Sequence, residues 1–216
     1  LEPTDPGFGY VGKVNGSTGV YIGNGWVITA DHVGAGTFNL GGVNYSYDGV
    51  NSHQINNVDL QVFKLSSSPL LAPLTISSAT PSVNDDVVMI GAGRTLTSSS
   101  PTTWFVDTDP ATWAWSTSIF PEANSIASGF TTTSSSKVVR WGTNVVESID
   151  ADISYLSYDP MDMIVTDFDE TGGTAFESQA VLNDSGSGLF VDNGSGWELA
   201  GTIVTVGNHN NQPGGA

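Results

Sequence analysis

A histidine that moves protons needs a carboxylate to orient its ring and a nucleophile to deprotonate. The chain offers three histidines, His32, His53 and His209. His32 lies in Gly25-Trp26-Val27-Ile28-Thr29-Ala30-Asp31-His32-Val33, where a run of strand formers leads up to it. An acid, Asp59, heads Asn57-Val58-Asp59-Leu60-Gln61-Val62-Phe63-Lys64-Leu65, whose Leu60, Val62 and Leu65 are apolar. A serine, Ser185, sits in Leu182-Asn183-Asp184-Ser185-Gly186-Ser187-Gly188, a turn of small residues directly before the apolar Leu189-Phe190-Val191. In such a turn backbone N–H groups can converge on a developing oxyanion. Singly, these features read as a structural histidine, a strand-edge acid and an ordinary loop. Together they occur in the order histidine, aspartate, serine, each beside a strand, and that set is equipped for acyl transfer. His53 and His209 lack such company and read as surface residues.

The elements that must position these side chains are strands. The 216 residues are 38% hydrophobic with 26 glycines, and their apolar runs are short and β-branched, such as Val87-Val88-Met89-Ile90 and Thr202-Ile203-Val204-Thr205-Val206. No long apolar window has helical period, so the composition predicts an all-β protein. From Tyr10 to Leu65, bursts of alternation are punctuated by Asn-Gly and Gly-Gly pairs suited to tight turns, predicting a block of about six strands. Residues 1–7 read as an irregular N-terminal arm, 8–65 as an N-terminal β-barrel and 66–84, with three prolines, as a connector. Residues 85–216 read as a C-terminal β-barrel with Ser/Thr-rich loops at 95–103 and 131–136.

Charge narrows the partners. Five Lys and Arg against 22 Asp and Glu give −17, which repels phosphate backbones and anionic lipid, so nucleic acid and membrane surfaces are not expected partners. No apolar run approaches the length of a membrane span. Without cysteine there is neither a disulfide framework nor a thiolate metal site. Asp150 and Asp152, or Asp167, Asp169 and Glu170, could ligate calcium as a structural ion, but no twelve-residue loop pattern accompanies them and they read as solvated loop acids; no cofactor is expected. Trp104, Trp113, Trp115 and Trp141 could form a sugar-binding platform, although tryptophans in a β protein more commonly pack in the core. The chain starts at Leu1 with no basic and apolar leader, so any export signal is expected to have been removed or never included.

These stretches resemble the chymotrypsin-type (trypsin-like) serine proteases, in a cysteine-free, bacterial-like form. Gly25 to Val33 is similar to that family's G-W-V-L-T-A-A-H-C, Val58 to Leu65 to D-I-A-L-L-K-L, Asn183 to Gly188 to G-D-S-G-G-P, and Gly201 to Gly207 to G-I-V-S-W-G. Asp85 to Gly93 matches more weakly the strand that opens the family's second barrel. The resemblance spans about residues 19 to 207. It implies two six-stranded antiparallel β-barrels with the active site in the cleft between them, and a secreted or periplasmic, monomeric serine endopeptidase acting on peptides or proteins. Ser185 would be the nucleophile, His32 the general base and acid, and Asp59 the residue orienting His32. The backbone N–H groups of Asn183 and Ser185 would form the oxyanion hole. Thr205, Val206 and Gly207 would pair with substrate backbone. The floor of the primary pocket falls at Gln179, with Glu177 nearby; Gln179 offers no charge for Lys or Arg unless Glu177 turns inward, and Gly207 leaves the pocket wall open.

The chain departs from that pattern in places. Asn183 replaces a glycine at a position expected to call for an unusual φ, which Asn tolerates better than most non-glycine residues. Asp31 replaces an alanine and puts a second carboxylate beside the imidazole, which would move activity upward in pH. The N-terminal device that pairs with the acid before the nucleophile is not visible, so Asp184 needs another partner, and Arg94 and Arg140 are the first candidates by scarcity. Nine residues follow Gly207, whereas the family continues into a further strand and a C-terminal helix. Either the chain is cut short there or the second barrel closes differently. The alternative function is a binding module: an inactive protease-like domain or a carbohydrate-binding β protein.

Overall fold

The computed structural model describes residues 5–133, 136–169, 171–207 and 209–213. After a 3-10 turn at Phe8–Tyr10, seven strands form one antiparallel sheet: β1 (Val11–Val14), β2 (Ser17–Gly23), β3 (Trp26–Thr29), β4 (Phe38–Leu40), β5 (Val43–Tyr45), β6 (Tyr47–Gln54) and β7 (Gln61–Leu65). Their order across the sheet is β5-β4-β1-β2-β3-β7-β6. The tight turns are written in the sequence. Asn15-Gly16 joins β1 to β2, Asn24-Gly25 joins β2 to β3 and Gly41-Gly42 joins β4 to β5, each with both central residues at positive φ. That is the two-residue geometry whose twist matches the flanking strands, and Asn and Gly adopt it at least cost.

The remaining strands are β8 (Asp86–Gly91), β9 (Thr95–Leu96), β10 (Thr102–Asp107), β11 (Ala114–Ser116), β12 (Ser125–Gly129), β13 (Thr132–Thr133), β14 (Arg140–Val145), β15 (Ser148–Ile153), β16 (Met161–Val165), β17 (Gly188–Asp192) and β18 (Trp197–Thr202). Residues 66–84 contain no strand; the Leu74 N–H donates to the Ile22 carbonyl of β2 at 3.3 Å, and Ile76 forms a single bridge to Leu199 of β18.

The chain forms two compact units. The first, Leu1–Gly93 with Val138–Thr205, contains the seven-stranded sheet, a four-stranded sheet in the order β14-β8-β17-β18, and the β15–β16 hairpin. Its core explains why the β8 and β17 sequences are apolar without alternation. Val88, Ile90 and Phe190 pack with Val11, Val20 and Leu199 on one face, while Val87, Met89, Leu189 and Val191 pack with Val146 on the other. A strand buried on both faces needs apolar residues at every position. The seven-stranded sheet encloses its own cluster of Val14, Tyr21, Val27, Phe38, Phe63 and Leu65. The second unit, Arg94–Lys137 with Val206–Ala216, contains the sheet β11-β10-β12 and the short pair β13-β9.

Candidate active site

β3 and β7 are antiparallel neighbours, with Thr29 opposite Gln61. Three residues after Thr29 comes His32, and two residues before Gln61 comes Asp59, so the ladder delivers both to the same end of the sheet. The approach to β7 doubles back through Asn56 and Asn57, both left-handed, with the Val58 N–H bonded to the Ile55 carbonyl at 2.9 Å. The Asp59 side chain has no exposed surface. Its Oδ1 accepts the backbone N–H of His32 at 3.0 Å, and its Oδ2 lies 2.7 Å from the ring Nδ1. A buried carboxylate is tolerated only with such partners. With Nδ1 donating to the acid, Nε2 is left as the basic nitrogen, on a side chain that is 33% exposed. The loop beyond His32 is anchored by Asn15, whose Nδ2 donates to the carbonyls of Val33, Gly34 and Ala35 at 2.9–3.3 Å.

The serine turn is built against the same hairpin. The Thr18 N–H donates to the Ser185 carbonyl at 3.0 Å, the Gly186 N–H to Ile203 at 2.8 Å and the Ile203 N–H to Ser187 at 2.9 Å. Thr29 Oγ1 donates to the Thr18 carbonyl at 2.7 Å. Gly186, at φ 86°, presses so closely on this pair that a Cβ would overlap both the Thr18 carbonyl oxygen and Thr29 Oγ1. The serine turn is therefore seated against the end of β3, three residues before His32, although among the described residues no hydrogen bond joins Ser185 to His32. Asn183 adopts φ 74°, the left-handed conformation its identity suggests, and its carbonyl accepts Thr18 Oγ1 at 3.4 Å. The N–H groups of Asp184 and Gly186 are bonded to main-chain carbonyls; among the described residues those of Asn183 and Ser185 donate to none.

Asp184 has neutral donors where the sequence suggests an arginine. Oδ1 accepts the Gly93 N–H at 2.7 Å and the Ser187 hydroxyl at 3.3 Å, and Oδ2 accepts the Val181 N–H at 2.9 Å. Gly91 and Gly93 form the cradle, since a Cβ on either would run into the Asp184 carboxylate. Burial pushes this carboxyl above the ordinary aspartate range, against the pull of these hydrogen bonds and of the Arg140 charge. Asp31 is likewise held by neutral donors: Gln54 Nε2 and Tyr158 Oη donate to its Oδ2, and Gln61 Nε2 to its Oδ1, each at 3.2 Å. Tyr158 stands 127 residues from Asp31, and no sequence pattern marks it.

Gln179 is exposed and follows Ser178, which is fastened to β14: the Ser178 N–H donates to Thr143 at 3.1 Å and its carbonyl accepts Asn144 Nδ2 at 2.8 Å. Glu177 folds back onto its own loop, its Oε2 accepting the N–H and hydroxyl of Thr174, both at 2.6 Å. β18 ends at Thr202, and Thr205, Val206 and Gly207 follow beyond it, outside any strand.

The other candidates do not assemble. In the second unit Trp113 stacks on Trp115 and on His209, and Trp115 is tilted against His209; in the first, Trp141 packs edge-on against Phe176. His53 lies beside Trp26. Among the described residues no three His, Asp or Glu side chains are grouped so as to hold a metal ion; Glu170 lies outside the described residues. No helix of the described residues is long and apolar enough to cross a membrane.

Comparisons with known proteins agree on the fold. The family model described as Trypsin matches residues 3–216. No curated protein matches the sequence. Among solved structures, the NS6 protease from murine norovirus 1 superposes with a TM-score of 0.53 at 13% identity, covering 97% of this chain and 90% of that one. The inactive form of the Rv3671c protease of Mycobacterium tuberculosis superposes with a TM-score of 0.52 at 16% identity, covering 92% of this chain and 78% of that one. At these identities the likeness is one of fold: the all-β, double-barrel architecture of the chymotrypsin type.

Proposed function

The chain belongs to the trypsin family, and on that premise we propose that it is a serine endopeptidase working through Ser185, His32 and Asp59. The observation that carries this reading is the buried Asp59 carboxylate bonded to both the backbone N–H and Nδ1 of His32. In the proposed reaction His32 Nε2 takes the Ser185 hydroxyl proton as Oγ attacks a peptide carbonyl, then returns it to the departing amine; water hydrolyses the acyl-enzyme by the same relay. The negative charge on the tetrahedral intermediate falls to the Asn183 and Ser185 N–H groups, a contribution of about 3 kcal/mol per donor. A chain without cysteine has no thiol to serve instead of the hydroxyl.

Thr205, Val206 and Gly207 are proposed to pair with substrate backbone as an added edge, and Gln179 to lie at the floor of the primary pocket. The reaction needs no cofactor. A secreted or periplasmic location and a monomeric state belong to the same proposal.

The test is intact-mass spectrometry after exposure to a fluorophosphonate, with Ser185→Ala as control. One adduct on the native chain and none on the control is the expected result. An unmodified native chain would overturn the catalytic reading in favour of an inert, protease-like binding domain.

A further inference from the structure

Asp31 and Asp59 flank His32, one as its chain neighbour and one as its hydrogen-bond partner, and the repulsion between two carboxylates at such a site is offset by donors that bind them. One such donor comes from the β15–β16 hairpin. The Asp159 N–H donates to the Asn57 carbonyl at 3.1 Å, fastening the hairpin to the loop that carries Asp59. The preceding residue, Tyr158, directs its hydroxyl at Asp31 Oδ2, 3.2 Å away. Burial and then the charges of Asp59 and Asp31 push the phenol well above its ordinary range, so it keeps its proton throughout the working pH range. Gln54 and Gln61 complete the set around Asp31 with donors from β6 and β7.

We propose that Tyr158 is a positioning residue for the triad: its hydroxyl ties Asp31 to the Asp59 side of the site and thereby fixes the His32 ring. The β15–β16 hairpin would then hold the imidazole through a chain neighbour of the histidine. This rests on the proteolytic reading for its effect on rate, but its geometric content can be tested without it.

Two measurements on Tyr158→Phe, which keeps the ring and removes only the hydroxyl, separate the possibilities. The proton on His32 Nδ1, bonded to Asp59, has a far-downfield proton resonance that reports the geometry of that bond whether or not the chain cleaves anything. The second measurement is the rate of fluorophosphonate labelling. The expected result is an unchanged melting temperature, a shifted or broadened resonance, and labelling slower by about tenfold, the size expected for one hydrogen bond to a charged group. Asp31→Ala, which removes the acceptor, should move the resonance likewise, and the double variant should add little to either change. An unmoved resonance in Tyr158→Phe and Asp31→Ala overturns the inference, whatever the labelling does. A wild-type chain that is not labelled but whose resonance shifts in both variants sinks the proteolytic reading and leaves the positioning role standing. If Tyr158→Phe does not fold, Asp31→Ala carries the resonance test alone.

Discussion

The Asp59 carboxylate engages His32 twice, once at the backbone N–H and once at Nδ1, with its side chain wholly removed from solvent. One bond fixes where the histidine's main chain sits and the other fixes how its ring turns. Asp59→Asn would preserve the first by keeping an acceptor oxygen. It would upset the second, because an amide donor facing Nδ1 selects the tautomer with the proton on Nε2. Under the proposed mechanism kcat should fall by about 10⁴-fold with little change in KM. A loss of less than about tenfold, measured on a peptide ester in the folded variant, would remove Asp59 from the mechanism.

Gly186 tests how tightly the serine turn depends on the first hairpin. Its φ of 86° and the overlap a Cβ would make with the Thr18 carbonyl and Thr29 Oγ1 act together in Gly186→Ala. Backbone oxygen cannot move aside as a flexible side chain can, so the turn must shift instead. The expected cost is about 2–4 kcal/mol of stability, read as a lower midpoint in urea, and labelling of Ser185 should be lost even below the melting temperature. A variant with native stability would mean the turn has slack that the contact geometry does not suggest.

Local chemistry explains which parts of this molecule could be read beforehand. Asn15-Gly16, Asn24-Gly25 and Gly41-Gly42 announce turns because positive φ is a local requirement that few residues meet. The uninterrupted apolar runs of β8 and β17 announce strands buried on both faces. Asn183 at φ 74° follows from its side chain in the same way. The partners of Asp184 do not, since two of its three donors are main-chain N–H groups that any sequence carries, and the glycines at 91 and 93 become meaningful only once Asp184 is seen against them. Scarcity of cations points to the arginines, and the Arg140 charge does act on this carboxyl, but the hydrogen bonds that hold it come from two backbone N–H groups and the Ser187 hydroxyl. Tyr158 was illegible for another reason: it lies in a polar, aperiodic stretch, and its partner is 127 residues away.

Buried Asp184 should leave a signature in the pH dependence of stability. Burial raises its folded-state value above the ordinary aspartate value of 3.8, so the folded chain holds that proton more tightly than the unfolded chain does. Its favourable contribution is present below the ordinary value and is lost as pH rises through the shifted one. Asp184→Asn cannot ionise and lacks that loss, but its amide can accept at one oxygen only and leaves the Gly93 or Val181 N–H unpaired, at a cost of about 1–3 kcal/mol. Urea titrations from acid to neutral pH should therefore show the variant least stable relative to wild type at the acidic end, with the gap narrowing as pH rises. A gap that widens instead would mean the carboxylate is stabilised as an anion by its donors and Arg140.

Under the proposed reading, specificity turns on a charge that the chain withholds. Glu177 is the nearest acid to Gln179 in sequence, but its carboxylate is occupied by the Thr174 N–H and hydroxyl and is tied to its own loop. A Lys or Arg side chain entering a pocket floored by Gln179 would lose its water without gaining a counter-ion, a loss that buried charges recover only by pairing. Cleavage of a peptide library should thus favour neutral residues before the scissile bond. Gln179→Asp would supply the missing charge at an exposed position on the segment fastened to β14, where it should not disturb folding. The expected result is a rise of about tenfold or more in kcat/KM for Lys and Arg substrates relative to neutral ones. An unchanged profile would place the floor of the pocket elsewhere, and a wild-type preference for Lys or Arg would require Glu177 to leave Thr174 when substrate binds.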